Sequence, residues 1–142
     1  MPGYWDDPVA TEHAIDERGW LRTGDAARRD ADGFFWIVDR VRDAYHSAGR
    51  VVYPGDVERA IGDHPAVADV AAVAHHDGAD AFVVLAPGCH ATEPELLEHA
   101  AGRLPVHAVP RAVVFVEELP RSTVGKLLRH ELGPAGVTTH DS

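Results

Sequence analysis

The sequence predicts an α+β fold: a small mixed β-sheet of about three core strands plus a β-hairpin, packed with helices and preceded by an N-terminal β-hairpin segment. Three observations predict it. Short apolar runs rich in Val, Ala and aromatic residues recur between turn signals, as strands do. Two helical patterns interrupt them, each opened by a proline or a capping sequence. No internal repeat or low-complexity tract appears, and 142 residues suffice for one modest core.

In chain order, residues 3–38 read as a lead-in segment followed by a hairpin. Its arms are residues 26–29 and 34–38, and Asp30-Ala31-Asp32-Gly33 between them carries an Asp-Gly turn signal. Asp39-Arg40-Val41-Arg42-Asp43 is a charged break between apolar strands. Tyr45-His46-Ser47 and Arg50-Val51-Val52-Tyr53 predict a second hairpin around Ala48-Gly49, and Pro54 opens a helix with Val57, Ala60 and Ile61 on one face. Residues 67–74 and 81–85 predict two paired strands, bounded by Pro65, Asp77-Gly78 and Pro87-Gly88. Thr92-Glu93-Pro94-Glu95 is a capping box for a helix running to about Arg103, and residues 111–116 form a third core strand. The segment from Gly133 to Ser142, rich in Gly, Thr and charge, predicts a flexible tail.

Composition excludes several classes of function. Thirteen basic against 23 acidic side chains give a formal charge of −10, which argues against nucleic acid as a partner. No apolar run approaches the roughly 20 residues that span a bilayer, and the N-terminus has no signal-peptide pattern, so no membrane partner and a cytoplasmic location are expected. Cys89 is alone and forms no internal disulfide. His75-His76-Asp77, His90 and His99 do not make a metal site. Adjacent histidines on a strand point to opposite faces, and no cysteine or second close carboxylate completes a ligand set. No Gly-x-Ser-x-Gly supports a hydrolase.

One stretch is hard to explain by packing: Leu119-Pro120-Arg121-Ser122-Thr123-Val124-Gly125-Lys126-Leu127-Leu128-Arg129. Proline and small hydroxyl residues make a loop, Gly125 lets the backbone turn, and Lys126 stands at the start of a short apolar, basic helical pattern. A lysine so placed offers a compact charge with three donors, suited to phosphate or carboxylate oxygens. It is not a nucleoside-triphosphate P-loop, because Pro120 stands where that motif needs glycine and Leu127 where it needs Ser or Thr. Read alone, the stretch is more simply an ordinary turn with an exposed lysine.

Two further stretches change that reading: Gly19-Trp20-Leu21-Arg22-Thr23-Gly24-Asp25, and Asp39-Arg40-Val41-Arg42-Asp43 followed by Gly49, Pro54, Asp56 and Glu58. In this order and spacing the three resemble the late core motifs of the adenylate-forming superfamily, which contains acyl-CoA synthetases, peptide-synthetase adenylation domains and luciferases. The resemblance runs from about Gly3 to Arg129.

The resemblance implies a role for each matched residue. Asp25, in Thr-Gly-Asp, matches the carboxylate that grips the ribose hydroxyls of ATP, and Arg40 matches an arginine that contacts the same ribose. Arg42 falls on the hinge between the family's large N-terminal and small C-terminal domains, a position usually Asp or Lys. Gly49 matches the loop lining the tunnel for the acceptor thiol of coenzyme A or phosphopantetheine; Tyr45, Ala48 and Asp56 nearby depart from the usual residues. Lys126 matches the lysine that bridges the carboxylate substrate and the α-phosphate during adenylation.

On this basis residues 1–39 correspond to the end of the family's N-terminal domain, 40–43 to the hinge, 44–132 to the C-terminal domain and 133–142 to the tail. The phosphate loop and acyl pocket of the family belong to a larger N-terminal domain that this chain does not contain. The expected function is therefore the C-terminal portion of an acyl-CoA-synthetase-like ligase. Such a ligase activates a carboxylic acid with ATP and Mg and passes the acyl group to CoA or a carrier protein, here with a separately encoded N-terminal adenylation domain and without activity alone. The alternative is a non-catalytic binding or regulatory module, or a truncated remnant of such a synthetase.

Overall fold

The computed structural model describes residues 3–133, and the chain divides into two compact units, Met1–Arg42 and Asp43–Ser142. The predicted tail lies, beyond Gly133, outside the described residues.

The first unit opens with a short helix that the sequence reading did not anticipate, α1 (Pro8–Ala14). Seven residues without a buried side chain leave no periodic apolar signal, but the start was legible in Asp7 before Pro8. Asp7 Oδ1 accepts the Ala10 N–H at 2.8 Å, and proline at the first helical position gives up a donor that would be unsatisfied anyway. The predicted hairpin follows as β1 (Asp25–Arg29) and β2 (Phe35–Arg40), antiparallel with a bulge between Ala26 and Ala27. Its turn is closed by Asp30, whose Oδ1 accepts the Phe34 N–H at 2.9 Å while its own N–H donates to the Phe34 carbonyl at 3.0 Å. Gly33 there takes φ +93°, which a side chain would oppose. No described residue of this unit is buried, and Trp20, Phe34, Phe35, Trp36 and Ile37 are all exposed.

The second unit carries the core. Hairpin β3 (Tyr45–Ser47) and β4 (Arg50–Val52) leads into α2 (Pro54–Gly62), then antiparallel β5 (Val67–His75) and β6 (Gly78–Leu85), α3 (Glu93–Ala101) and β7 (Val113–Phe115). Strand β7 pairs parallel to β6, giving a mixed three-stranded sheet in the order β5-β6-β7. A parallel neighbour requires a crossover, which α3 supplies. Helix α3 ends at Ala101, short of the predicted Arg103, as Gly102 caps it by donating to the Glu98 carbonyl at 3.1 Å. The capping box is formed: Glu95 Oε2 accepts from the Thr92 N–H at 2.7 Å and from its hydroxyl at 2.8 Å, and these bonds lower the Glu95 pKa.

Strand periodicity distributes the apolar side chains over both faces of this sheet. On one face Ala72, Ala81 and Val83 pack with Val57 and Ile61 of α2, Leu96 and Ala100 of α3, and Tyr45 and Val52 of the small hairpin. On the other, Ala71 and Phe82 pack with Leu119 and Leu132, joined by Val73, Val84, Val114, Val116 and Leu127. The second face is thus covered by the chain that flanks Lys126.

Candidate functional site

In the first unit the two predicted nucleotide residues come together. Asp25 and Arg40 are cross-strand partners at the open end of the β1/β2 ribbon, and Arg40 Nη1 lies 3.0 Å from Asp25 Oδ1. The same nitrogen donates to the Thr23 carbonyl at 3.2 Å, while the Thr23 hydroxyl accepts the Asp25 N–H at 3.2 Å. Gly24, at φ +76°, turns the chain between them, and its carbonyl accepts the Val41 N–H at 2.8 Å. The motif Thr-Gly-Asp is therefore a turn that aims one carboxylate, held by a guanidinium that is itself half exposed. An ionised carboxylate has about four acceptor sites. With one oxygen engaged by Arg40, Asp25 keeps capacity to accept from further donors. Arg42, the last residue of the first unit, is exposed in the single 3-10 turn Val41–Asp43.

In the second unit Gly49 is at the tip of the β3/β4 hairpin. Ala48 at φ +49° and Gly49 at φ +72° form the two-residue turn with both central residues left-handed that suits a twisted ribbon. A β-carbon on Gly49 would meet nothing within 4 Å in this chain. Backbone conformation, not crowding by this chain, requires glycine there. Tyr45, one of the departures from the family pattern, is a core residue whose burial pushes its phenol up to about 12.

The Lys126 loop differs from its prediction. Lys126 does not begin a helix: it leaves a tight hairpin in which Arg121 and Leu127 bridge, and the following single turn of 3-10 helix is Arg129–Glu131. The Ser122 carbonyl accepts the Gly125 N–H and the Lys126 carbonyl accepts the Ser122 N–H, both at 2.8 Å. The Ser122 hydroxyl accepts the Lys126 N–H at 3.1 Å, Arg121 Nη1 donates to the Gly125 carbonyl at 3.2 Å, and Arg121 Nη2 reaches Asp69 Oδ2 on β5 at 2.6 Å. Gly125 takes φ +81°, the left-handed residue that closes a three-residue hairpin loop. The small hydroxyl and glycine types seen in the sequence are thus turn chemistry. Leu119, Leu127 and Leu132 secure the stems on the sheet, while Lys126 is exposed and its ammonium has no partner among the described residues.

Sequence reasoning assigned no role to three neighbours of this loop. Arg129 Nη2 donates to Glu58 Oε1 of α2 at 2.8 Å, the same oxygen accepts the Ala72 N–H of β5 at 2.9 Å, and Arg129 Nη1 lies 3.9 Å from Asp43 Oδ2. No spacing rule joins positions 43, 58 and 129; only the tertiary fold does.

The histidines are engaged otherwise. His75 Nε2 lies 3.1 Å from Asp80 Oδ1, and the His64 and His99 rings meet edge to face at 4.9 Å. Among the described residues no group of three or more His, Cys, Asp or Glu could hold a metal ion. No described helix is long and apolar enough to cross a membrane.

A three-stranded mixed sheet under two helices, with a glycine hairpin and an exposed loop lysine, defines a C-terminal domain of the adenylate-forming type. The chain belongs to the AMP-binding enzyme C-terminal domain family, which it matches over residues 56–126. It is 40% identical over 137 residues to a long-chain-fatty-acid–CoA ligase of Bacillus subtilis (strain 168), covering 93% of this chain and 24% of that protein. Among solved structures it is similar to ATP-bound MatB from Rhodopseudomonas palustris, with a TM-score of 0.80, 32% identity, and coverage of 92% of this chain and 27% of that one. It is likewise similar to the o-succinylbenzoate CoA synthetase MenE of Bacillus subtilis in complex with the acyl-adenylate intermediate, with a TM-score of 0.81, 33% identity, and coverage of 93% and 28%. This chain spans about a quarter of the length of these relatives.

Proposed function

We propose that this chain is the C-terminal portion of an acid–thiol ligase of the acyl-CoA-synthetase type, acting together with an N-terminal adenylation domain of that type. The observation that carries the reading is the presentation of Lys126: a hydrogen-bonded turn with stems secured on the sheet, holding an ammonium that no described residue neutralises. A free, positioned cation on a rigid scaffold is what a site of developing negative charge requires. The exposed aromatic surface of the first unit supports the need for a partner.

In the first half-reaction the carboxylate oxygen of the acid attacks the α-phosphorus of ATP, the P–O bond to the β-phosphate breaks, and pyrophosphate leaves. Lys126 bridges the attacking carboxylate and the α-phosphate oxygens as charge develops on them. Asp25 accepts from the ribose hydroxyls, and Arg40 both orients Asp25 and contacts the ribose. In the second half-reaction the thiol of CoA or of a carrier's phosphopantetheine attacks the acyl carbonyl and AMP leaves. The domain has by then rotated about Arg42, and the Gly49 turn faces the thiol's approach.

The test supplies an N-terminal adenylation domain to this chain as a reconstituted pair and measures pyrophosphate release and thioester formation separately. Lys126→Ala is expected to lower adenylation by on the order of a hundredfold while sparing thioester formation from preformed acyl-adenylate. Gly49→Leu does the reverse. Equal loss of both half-reactions in Lys126→Ala refutes the two-state role, and no loss in either leaves a non-catalytic module or remnant.

A further inference from the structure

We propose that Arg129, held by Glu58, is a positioning residue that fixes the Lys126 loop against the sheet; the functional half of this proposal rests on the reading of Lys126 given above. Arg129 is three residues beyond Lys126, where the loop's second stem enters its terminal turn. Its Nη2 donates to Glu58 Oε1 at 2.8 Å, and that oxygen is itself fixed by the Ala72 N–H of the sheet's edge strand at 2.9 Å. Its Nη1 faces Asp43, the first residue of the second unit, at 3.9 Å. One guanidinium thus connects the loop, helix α2, the edge of the sheet and the residue that follows Arg42.

Packing alone does not account for this arrangement. The contact of α2 with the sheet is already made by Val57 and Ile61, which are fully buried. Arg129 Nε is buried with no acceptor among the described residues, a cost that a leucine or methionine filling the same space would avoid. What an ion pair adds over an apolar contact is direction. A charge-assisted hydrogen bond to a fixed oxygen sets a definite length and direction for the stem, where apolar contacts permit sliding. The Leu128 N–H, adjacent to Arg129, donates to the Pro120 carbonyl at 2.9 Å and closes the opposite stem, so a shift of Arg129 passes directly into the turn bearing Lys126.

The experiment compares the full chain with Arg129→Leu, Arg129→Lys and Glu58→Gln by amide hydrogen exchange, then measures adenylation in the reconstituted pair. Glu58→Gln keeps an acceptor for the Ala72 N–H and removes only the charge, so it reports on the strut where Arg129→Leu is poorly folded. Expected is exchange faster by about tenfold at the Ser122, Gly125 and Leu128 amides, the factor of one charged hydrogen bond, with β5 and β6 amides changed by less than about twofold. Adenylation kcat falls about tenfold in Arg129→Leu, and the loss vanishes in the Lys126→Ala background because both changes remove the same interaction. Unchanged loop amides, a parallel rise at every amide of the unit, or an additive loss on Lys126→Ala each overturns the proposal. Loosened loop amides together with full adenylation by Lys126→Ala uphold the strut and sink the role of the lysine instead.

Discussion

The two units of this chain handle apolar surface in opposite ways. Every buried hydrophobic residue described lies between Tyr45 and Leu132, while the first unit exposes Trp5, Trp20, Phe34, Phe35, Trp36 and Ile37 and buries none of its described residues. Yet both are well hydrogen-bonded. Asp7, Asp16 and Asp30 cap or close the turns of the first unit as Thr92 and Ser122 do in the second. The difference teaches that local hydrogen bonding shapes a segment without making it independently stable. A two-stranded ribbon in water is marginal, and only layers that cover an apolar face offset the entropy of ordering the chain.

The strongest way to break the contrast is dissection. Residues 43–133 alone should keep a cooperative unfolding transition, and residues 1–42 alone should show none by circular dichroism. In the whole chain, hydrogen exchange at residues 34–38 should be much faster than at residues 67–74; equal protection would show that the first unit is covered, for instance by self-association through its aromatic surface.

Point substitutions sharpen it. Leu96→Ala, at a fully buried position between α3 and the sheet, should cost about 2–5 kcal/mol in denaturant unfolding, whereas Phe35→Ser on the exposed ribbon should fall within about 0.5 kcal/mol. If the two cost the same, the ribbon has a core that the isolated chain conceals.

Tyr45 gives a pH test of where the interior lies. Burial raises its pKa from 10.0 to about 12, so the folded chain keeps the phenolic proton after the unfolded chain has lost it. The unfolded state then binds fewer protons, and stability is full below pH 10 and falls between pH 10 and about 12, by roughly 2–3 kcal/mol in all. Tyr45→Phe should lack this decline relative to the parent chain in urea unfolding across that range. His99 runs the other way. Its pKa is lowered by burial and then by the nearby Arg103 and His64 charges, so stability should diminish as pH falls below the ordinary histidine range, and less so in His99→Gln.

The smallest effect concerns the β3/β4 tip. Gly49→Ala places a β-carbon in open space but at φ +72°, and should destabilise the second unit by on the order of 1 kcal/mol in thermal or urea unfolding. A loss of several kcal/mol would mean that the tip is packed and not merely turned.

Much of this was legible in the sequence because it is local. Apolar runs between turn signals marked β5 and β6, Thr92 and Glu95 marked the start of α3, Asp-Gly and Ala-Gly pairs marked two hairpins, and motif order carried the family. Helix α1 was missed because its seven residues, none of them buried, have no apolar period. Lys126 was expected to open a helix because Leu127, Leu128 and Arg129 suit one, but Leu127 and Leu132 bury themselves on the second face of the sheet, and that contact outweighs a weak helical propensity.

The sequence by itself therefore determined the core strands, helices α2 and α3 and the types of residue at the candidate site, since each follows from neighbours a few positions apart. Only the tertiary structure decided which distant groups meet: Asp25 with Arg40 across a ribbon, Arg121 with Asp69, and Arg129 with Glu58 at a separation of 71 residues. The physical reason is that a charge pair acts over a few ångströms in space and leaves no period along the chain, so its partners are fixed by the packing that brings them together.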